Sequence, residues 1–194
     1  MTALEIHRLS IPDVAELIPG RIADGRGFFA EVYSERRLAE AGFPLAFVQA
    51  NRSSSTARHT LRGLHFQAPP HAQAKLVWAT RGSAFDVAID LRVGSPFFGR
   101  VAGVLLSAGA GNQVLVPAGF AHGLLTLEPD TEVQYMVSAP YAPEHDRGIR
   151  WNDPVLAIDW PLAGSQPVLS ERDAINPFFA DIQSPFQYEP GLYP

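Results

Sequence analysis

The stretch TLRGLHFQAPPHAQAKL, residues 60–76, carries Arg62, His65, Gln67 and Lys75 where leucines alone would make a better core. A second such place is EVQYMVS, residues 132–138. There, strand alternation turns Tyr135 to the side of Val133 and Val137 and sends Glu132, Gln134 and Met136 the other way. In LRGLHFQ, strict alternation sets Leu61, Gly63, His65 and Gln67 against Arg62, Leu64 and Phe66. Gly63 complicates that pattern, because a glycine inside a strand often marks a bulge, and a bulge would bring Arg62 and His65 toward one cavity. In AKLVWAT, Lys75 shares a face with Val77 and Ala79, so an inward ammonium needs an anionic partner to offset its burial. Each residue alone also has a plain reading: a core tyrosine bonded to a carbonyl, a hydrogen-bonded histidine, a lysine whose stem lies along the surface.

The elements that must position these groups are mostly strands. Between residues 44 and 140, short segments rich in β-branched and aromatic residues alternate with Gly, Pro, Asn and Asp: AFVQAN, AKLVWAT, SAFDVAIDL, RVAGVLLS, QVLVP, HGLLTLE and EVQYMVS. That spacing predicts an all-β sandwich or barrel. SERRLAEAG predicts one helix, with Ser34 as N-cap and Gly42 as stop, and LSERDA a second short one beginning at Ser170. No repeat or linker divides the chain, so residues 1–194 read as a single domain ending in an extended, Pro- and aromatic-rich arm over 177–194.

At 194 residues the chain is long enough to bury roughly 70% of its unfolded surface, so no disulfide framework is needed. It has no cysteine, which excludes thiolate nucleophiles and agrees with a reducing, cytoplasmic setting. Neither a secretory leader nor a window of about 18 apolar residues is present, so no membrane association is expected. A net charge of −5 argues against nucleic acid as a partner, which needs a broad basic face. A small anion needs only a local cationic pocket. Arg21, Arg26, Arg52, Arg58 and Arg62 cluster early enough to supply one, although each alone fits a solvated loop arginine.

VPAGFAHG, residues 116–123, has the spacing P-x-G-x-x-H, the second half of the cupin signature, in which the histidine points into a jelly-roll barrel. The H-x-H pair that a cupin metal site also needs is missing, since His65 lies between Leu64 and Phe66. A cupin-like jelly-roll barrel with one or two short peripheral helices, without metal or other cofactor, is therefore expected.

RGLHFQ, QAKLV, FDVAIDLR, SPFFGR, VPAGFAHG, YAPEHDRGIRWNDP, IDWP and LSERD, in this order, resemble the dTDP-4-dehydrorhamnose 3,5-epimerase family from about residue 6 to residue 180. The resemblance implies a homodimeric jelly roll, with the N-terminal segment in dimer contacts, that takes a nucleoside-diphosphate 4-keto-6-deoxy sugar. It implies His65 as the base that removes a proton from carbon, Asp173 as its partner carboxylate, Tyr135 as proton donor, and places Lys75 and Arg62 in the pocket. Family contacts to nucleotide and sugar fall on Arg26, Glu31, Gln49, Asn51, His122, Tyr141 and Arg172, with Arg26 supplied across the dimer. Asp146 stands where the family has a glutamate near the nucleotide, and Phe29 or Tyr141 suits stacking on a base.

These roles make chemical sense. Protons on carbons flanking a ketone are acidified by delocalisation into an enolate, yet histidine is a weak base for them. A carboxylate that fixes the imidazole tautomer and a cation at the ketone oxygen narrow the gap. Inversion also needs an acid on the opposite face of the ring, and tyrosine, with a reference pKa of about 10, is protonated at neutral pH. Arginine forks suit a diphosphate.

The chain departs from the family pattern at Ala50, Arg52 and Met136, which either retune the pocket or lie outside it. Inversion at C3 and C5 on the route to dTDP-L-rhamnose is the leading expectation. Inversion at one carbon, or on another nucleotide sugar, is the alternative. A non-catalytic sugar-nucleotide-binding cupin is weaker, and a metal-dependent cupin oxygenase weaker still.

Overall fold

A computed structural model describes residues 3–191; residues 1 and 2 of the N-terminal segment and 192–194 of the expected arm lie outside the described residues. The strands before the first long loop are β1 (Leu4–Arg8), β2 (Ala15–Pro19), β3 (Arg21–Asp24) and β4 (Gly27–Ala30), followed by helix α1 (Glu35–Glu40). The central strands are β5 (Gln49–Ser55), β6 (Leu61–Gln67), β7 (Lys75–Arg81), β8 (Ser83–Asp90) and the short β9 (Arg92–Val93). Then come β10 (Val101–Ser107), β11 (Gln113–Val116), β12 (Phe120–Thr126), β13 (Thr131–Val137), β14 (Asp146–Gly148), helix α2 (Glu171–Ile175) and β15 (Phe186–Gln187).

Two antiparallel sheets make an all-β, cupin-like jelly roll. One has the order β1-β2-β11-β7-β13-β5 and the other β10-β8-β12-β6-β14. Alternation assigns their faces. On β7, Val77 and Ala79 turn inward to meet Ala84, Ala88, Ala102, Leu106 and Leu124 of the opposite sheet, while Leu76 and Trp78 turn outward. The outward face of the six-stranded sheet is covered by Leu38 and Phe43 of the α1 segment. That of the five-stranded sheet, carrying Leu61, Leu64, Val87 and Ile89, is covered by Ile149, Leu156, Trp160 and Phe186. Both outer faces being dry, the strands read as nearly continuous apolar runs, which is why the sequence pattern was legible there.

The two expected helices form. Ser34 precedes α1 without a side-chain cap bond, and Gly42 follows it at φ 88°. Ser170 Oγ accepts the Asp173 N–H at 3.1 Å and so caps α2. The AFVQAN segment begins its strand at Gln49 rather than Ala46, and strands β1 to β4 were not anticipated, although Pro19-Gly20 and Asp24-Gly25 stand as turn signals between them. Of the arm, the described part packs on the body: β15 runs parallel to β9, and the Tyr188 ring lies 5.1 Å from the Arg92 guanidinium carbon.

Candidate active site

At one end of the space between the sheets the apolar filling gives way to a chamber of about 410 Å³. The bulge read from Gly63 builds it. Across β12 and β6, His122 pairs with His65 but Leu124 pairs with Arg62, so two steps on β12 oppose three on β6. The extra residue sends Leu61 and Leu64 outward while Arg62 and His65 both line the chamber. The site tolerates only glycine: φ is +120°, and a Cβ on Gly63 would lie 2.7 Å from Gly123 Cα and 2.8 Å from the His122 carbonyl oxygen.

His65 Nε2 meets Asp173 Oδ1 at 2.5 Å, joining a strand residue to the first turn of α2 across a sequence separation of 108. The Ser170 hydroxyl and the Gly63 N–H also donate to this carboxylate. Burial pushes Asp173 up, but its bond to His65 and these two donors outweigh burial and hold it below the usual carboxylate range. The acceptor to His65 is therefore a carboxylate at neutral pH. Nε2 being engaged, Nδ1 is the ring atom left to accept a proton, and it has no partner among the described residues.

Tyr135 reaches the same chamber from β13, that is, from the opposite sheet. Burial raises its phenol above the ordinary value, Arg62 lowers it less, and Asp146 and Tyr141 push it further up, so it is a proton donor across the neutral range. Lys75, on β7 beside β13, lines the chamber as well and has no hydrogen bond or ion pair among the described residues. Burial pulls its ammonium down to about 8, against the charges of Asp86 and Asp146, which raise it. It is the single lysine in the sequence, all the other basic residues of the 15 Lys and Arg being arginine.

The family description dTDP-4-dehydrorhamnose 3,5-epimerase matches residues 8–181. The chain belongs to that family. A curated relative of this name from Pseudomonas aeruginosa is 53% identical over 179 residues, 92% of this chain and 97% of the relative; one from Sinorhizobium fredii is 47% identical over 180 residues, 93% and 92% of the two chains. Among solved structures, a dTDP-6-deoxy-D-glucose-3,5-epimerase from Legionella pneumophila in complex with dTDP-4-keto-L-rhamnose superposes with TM-score 0.91 at 39% identity, covering 96% of this chain and 100% of that one.

The remaining residues expected from the epimerase family divide in two. Arg62, His122, Tyr141, Asp146 and Arg172 line the chamber. Arg62 is held from behind, Nε to Ser55 Oγ at 3.2 Å and Nη2 to the Ser54 carbonyl at 3.0 Å. At the mouth, Asp146 accepts from Arg172 at 2.5 Å and from the Tyr141 hydroxyl at 3.1 Å. Burial pushes Asp146 up, Arg172, His65 and Tyr141 together pull it down further, and the net position is below the ordinary range. Its charge in turn raises the Tyr141 phenol.

Arg26, Phe29, Glu31, Gln49 and Asn51 are not on the chamber wall of the single chain. Arg26 pairs with Asp24 at 2.6 Å on the exposed turn between β3 and β4, and Phe29 is 68% exposed on the same hairpin. Glu31 pairs with Arg37 at 2.9 Å. Gln49 acts through the chain: its Nε2 donates to Asn51 at 2.8 Å and its Oε1 accepts the Tyr141 N–H at 3.2 Å, tying β5 to the mouth. Arg52 pairs with Glu132, and Met136 packs with the outer cluster around Leu76 and Trp78, so these two departures from the family pattern lie outside the chamber.

Sequence reasoning missed Asp86, and it marked the glutamines of residues 60–76 as out of place in a core without giving them a role. Asp86 bonds His122 from within the sheet, and strict alternation in FDVAIDL, which turns it inward with Ala88, was the available signal. Gln67 and Gln73 hold the backbone of the segment carrying Tyr141: Gln67 binds the Pro140 carbonyl and the Ala142 N–H, and Gln73 the Ala139 carbonyl. The sequence could not name their partners, which are loop backbone 66–75 residues away.

Proposed function

We propose that this chain inverts C3 and C5 of a dTDP-4-dehydro-6-deoxy-hexose on the route to dTDP-L-rhamnose. The observation that carries the reading is that an imidazole oriented by a carboxylate and a phenol reach one chamber from opposite sheets, with an ammonium that has no partner among the described residues on the phenol's sheet. His65 Nδ1 takes the proton from the carbon next to the C4 ketone. The electron pair of the broken C–H bond moves into the ring and onto the ketone oxygen, where the Lys75 ammonium stabilises it. Tyr135 then delivers a proton to the same carbon from the other face, leaving His65 protonated and Tyr135 deprotonated until both exchange with solvent. Repetition at the second flanking carbon completes the conversion. Arg62 and Arg172 suit the diphosphate, and Tyr141 and Phe29 suit the nucleotide base.

We place residues 1–194 in one domain working as a homodimer in the cytoplasm. Ile22, Phe28, Phe29 and Val32 are 48–68% exposed on the β3–β4 hairpin and just after it, an apolar face that a second copy would cover while bringing Arg26 to its neighbour's chamber.

The test is incubation with the 4-keto sugar nucleotide in heavy water, read by NMR. Deuterium at both C3 and C5 supports the reading; label at one carbon makes the protein a mono-epimerase, and label at neither leaves a binding protein. Sedimentation that finds only monomer at assay concentration would remove the dimer.

A further inference from the structure

We propose that Asp86 is a positioning residue for the enolate-stabilising wall: its buried carboxylate fixes the His122 ring and is the fixed negative charge against which the Lys75 ammonium is kept in the chamber. None of the family roles above falls on it. Asp86 sits in the middle of β8, its side chain 0% exposed, with both carboxylate oxygens on His122 Nε2 at 3.0 and 2.9 Å. An acceptor there requires the proton on Nε2, so the Nδ1 edge of His122 is the one turned to the chamber, and it has no partner among the described residues. The imidazole is the only hydrogen-bond partner Asp86 has among those residues, so its charge must be balanced by the chamber itself.

The ammonium that balances it is Lys75. Facing Lys75 are Asp86 on β8, His122 on β12, Asp146 on β14, Tyr135 on β13, and Arg62 and His65 on β6. Of the carboxylates, Asp146 already answers to Arg172, and Asp173 to His65, Ser170 and Gly63. Asp86 is the one held by a single imidazole, with neither an arginine nor a further donor among the described residues. Forming no direct ion pair with Asp86, Lys75 keeps its N–H donors for the substrate oxygen while still feeling the charge. A hydrogen-bonded ion pair would have spent one of them.

The single lysine supplies a direct readout. In protein labelled with ¹³C-lysine, one side-chain signal reports Lys75 across the pH range without substrate. The wild-type midpoint is expected near 8, and Asp86→Asn is expected to lower it by about one unit or more. Asp86→Glu is expected to keep it near the wild-type position. The kinetic half rests on the epimerase reading: Asp86→Asn should lower kcat on the order of 10-fold with KM changed less than about 3-fold, and move the alkaline limb of the rate profile downward with the NMR midpoint. An Asp86→Asn midpoint equal to wild type, or a wild-type midpoint at the ordinary lysine value, overturns the proposal whatever the activity. If Asp86→Asn does not fold, an Asp86→Glu protein whose midpoint falls as an uncharged residue's would overturns it too. A midpoint that shifts in a protein without epimerase activity leaves the proposal standing and counts against the activity alone.

Discussion

Two imidazole–carboxylate pairs stand on neighbouring strands of one sheet, their histidines directly cross-strand, yet they are built for different work. In His65–Asp173 the partners come from a strand and a helix, the imidazole is 31% exposed, and the carboxylate is shared with the Ser170 hydroxyl and the Gly63 N–H. In His122–Asp86 both partners lie within the sheet, the side chains are 10% and 0% exposed, and the carboxylate has no other hydrogen-bond partner among the described residues. Sharing spreads the charge of Asp173, and an open ring can exchange its proton; both suit a base that must reset each turnover. A sealed pair suits a wall that never changes.

The first way to break the contrast is to remove the exchanging pair. His65→Ala is expected to abolish deuterium incorporation at both carbons, and Asp173→Asn to lower kcat by about 10²–10⁴-fold, because the amide leaves the imidazole without its orienting charge. NMR-detected exchange checks both.

Gly63→Ala attacks the bulge that sets the two pairs side by side. A Cβ 2.7 Å from Gly123 Cα meets backbone that cannot swing aside, at a φ that disfavours any side chain. The expected loss is about 1–3 kcal/mol of stability, read as a Tm lower by several degrees, with activity lost beyond what unfolding explains.

Tyr135→Phe separates the two half-reactions: isotope wash-in at the carbon facing His65 should survive better than inversion, which should fall on the order of 10²-fold. Equal loss of both would place the opposite-face acid elsewhere.

Acid should act on the shared pair. Asp173 and Asp146 are both held below their unfolded values, so each contributes stability that is complete above about pH 4 and is lost as pH falls through its lower folded value. Thermal unfolding followed downward from pH 5 should show a Tm decline that Asp173→Asn makes shallower. The smallest effect is expected at Arg52→Ser, outside the chamber and paired with Glu132 at the surface: kcat and KM should stay within about 2-fold of wild type.

How legible each part was follows from the range of the interactions that make it. Strands β5 to β8 and β10 to β13 could be read because their pattern is local, and Ser170 could be read as a cap because it serves a residue three positions on. The Gly63 bulge was legible as a conditional, since a glycine in a strand announces an exception but not its direction. Asp86 had a signal in strand alternation and was passed over because an aspartate in an apolar run has no meaning until its partner, 36 residues away, is in place. Arg26, Phe29 and Glu31 were assigned by motif alone, and the single chain keeps them at the hairpin, where their neighbours are a turn aspartate, solvent and Arg37.

By itself the sequence determined the strand periods, the helix starts, the absence of thiol chemistry and the set of residue types able to move protons and hold phosphate, all of which depend on neighbours a few positions apart. Only the tertiary structure decided which of those residues share a space, which carboxylate faces which ring, and that the lone lysine ends in a buried chamber without a direct partner among the described residues. Such outcomes depend on the distance and dielectric between groups from different strands, quantities that exist only once the two sheets have closed on each other.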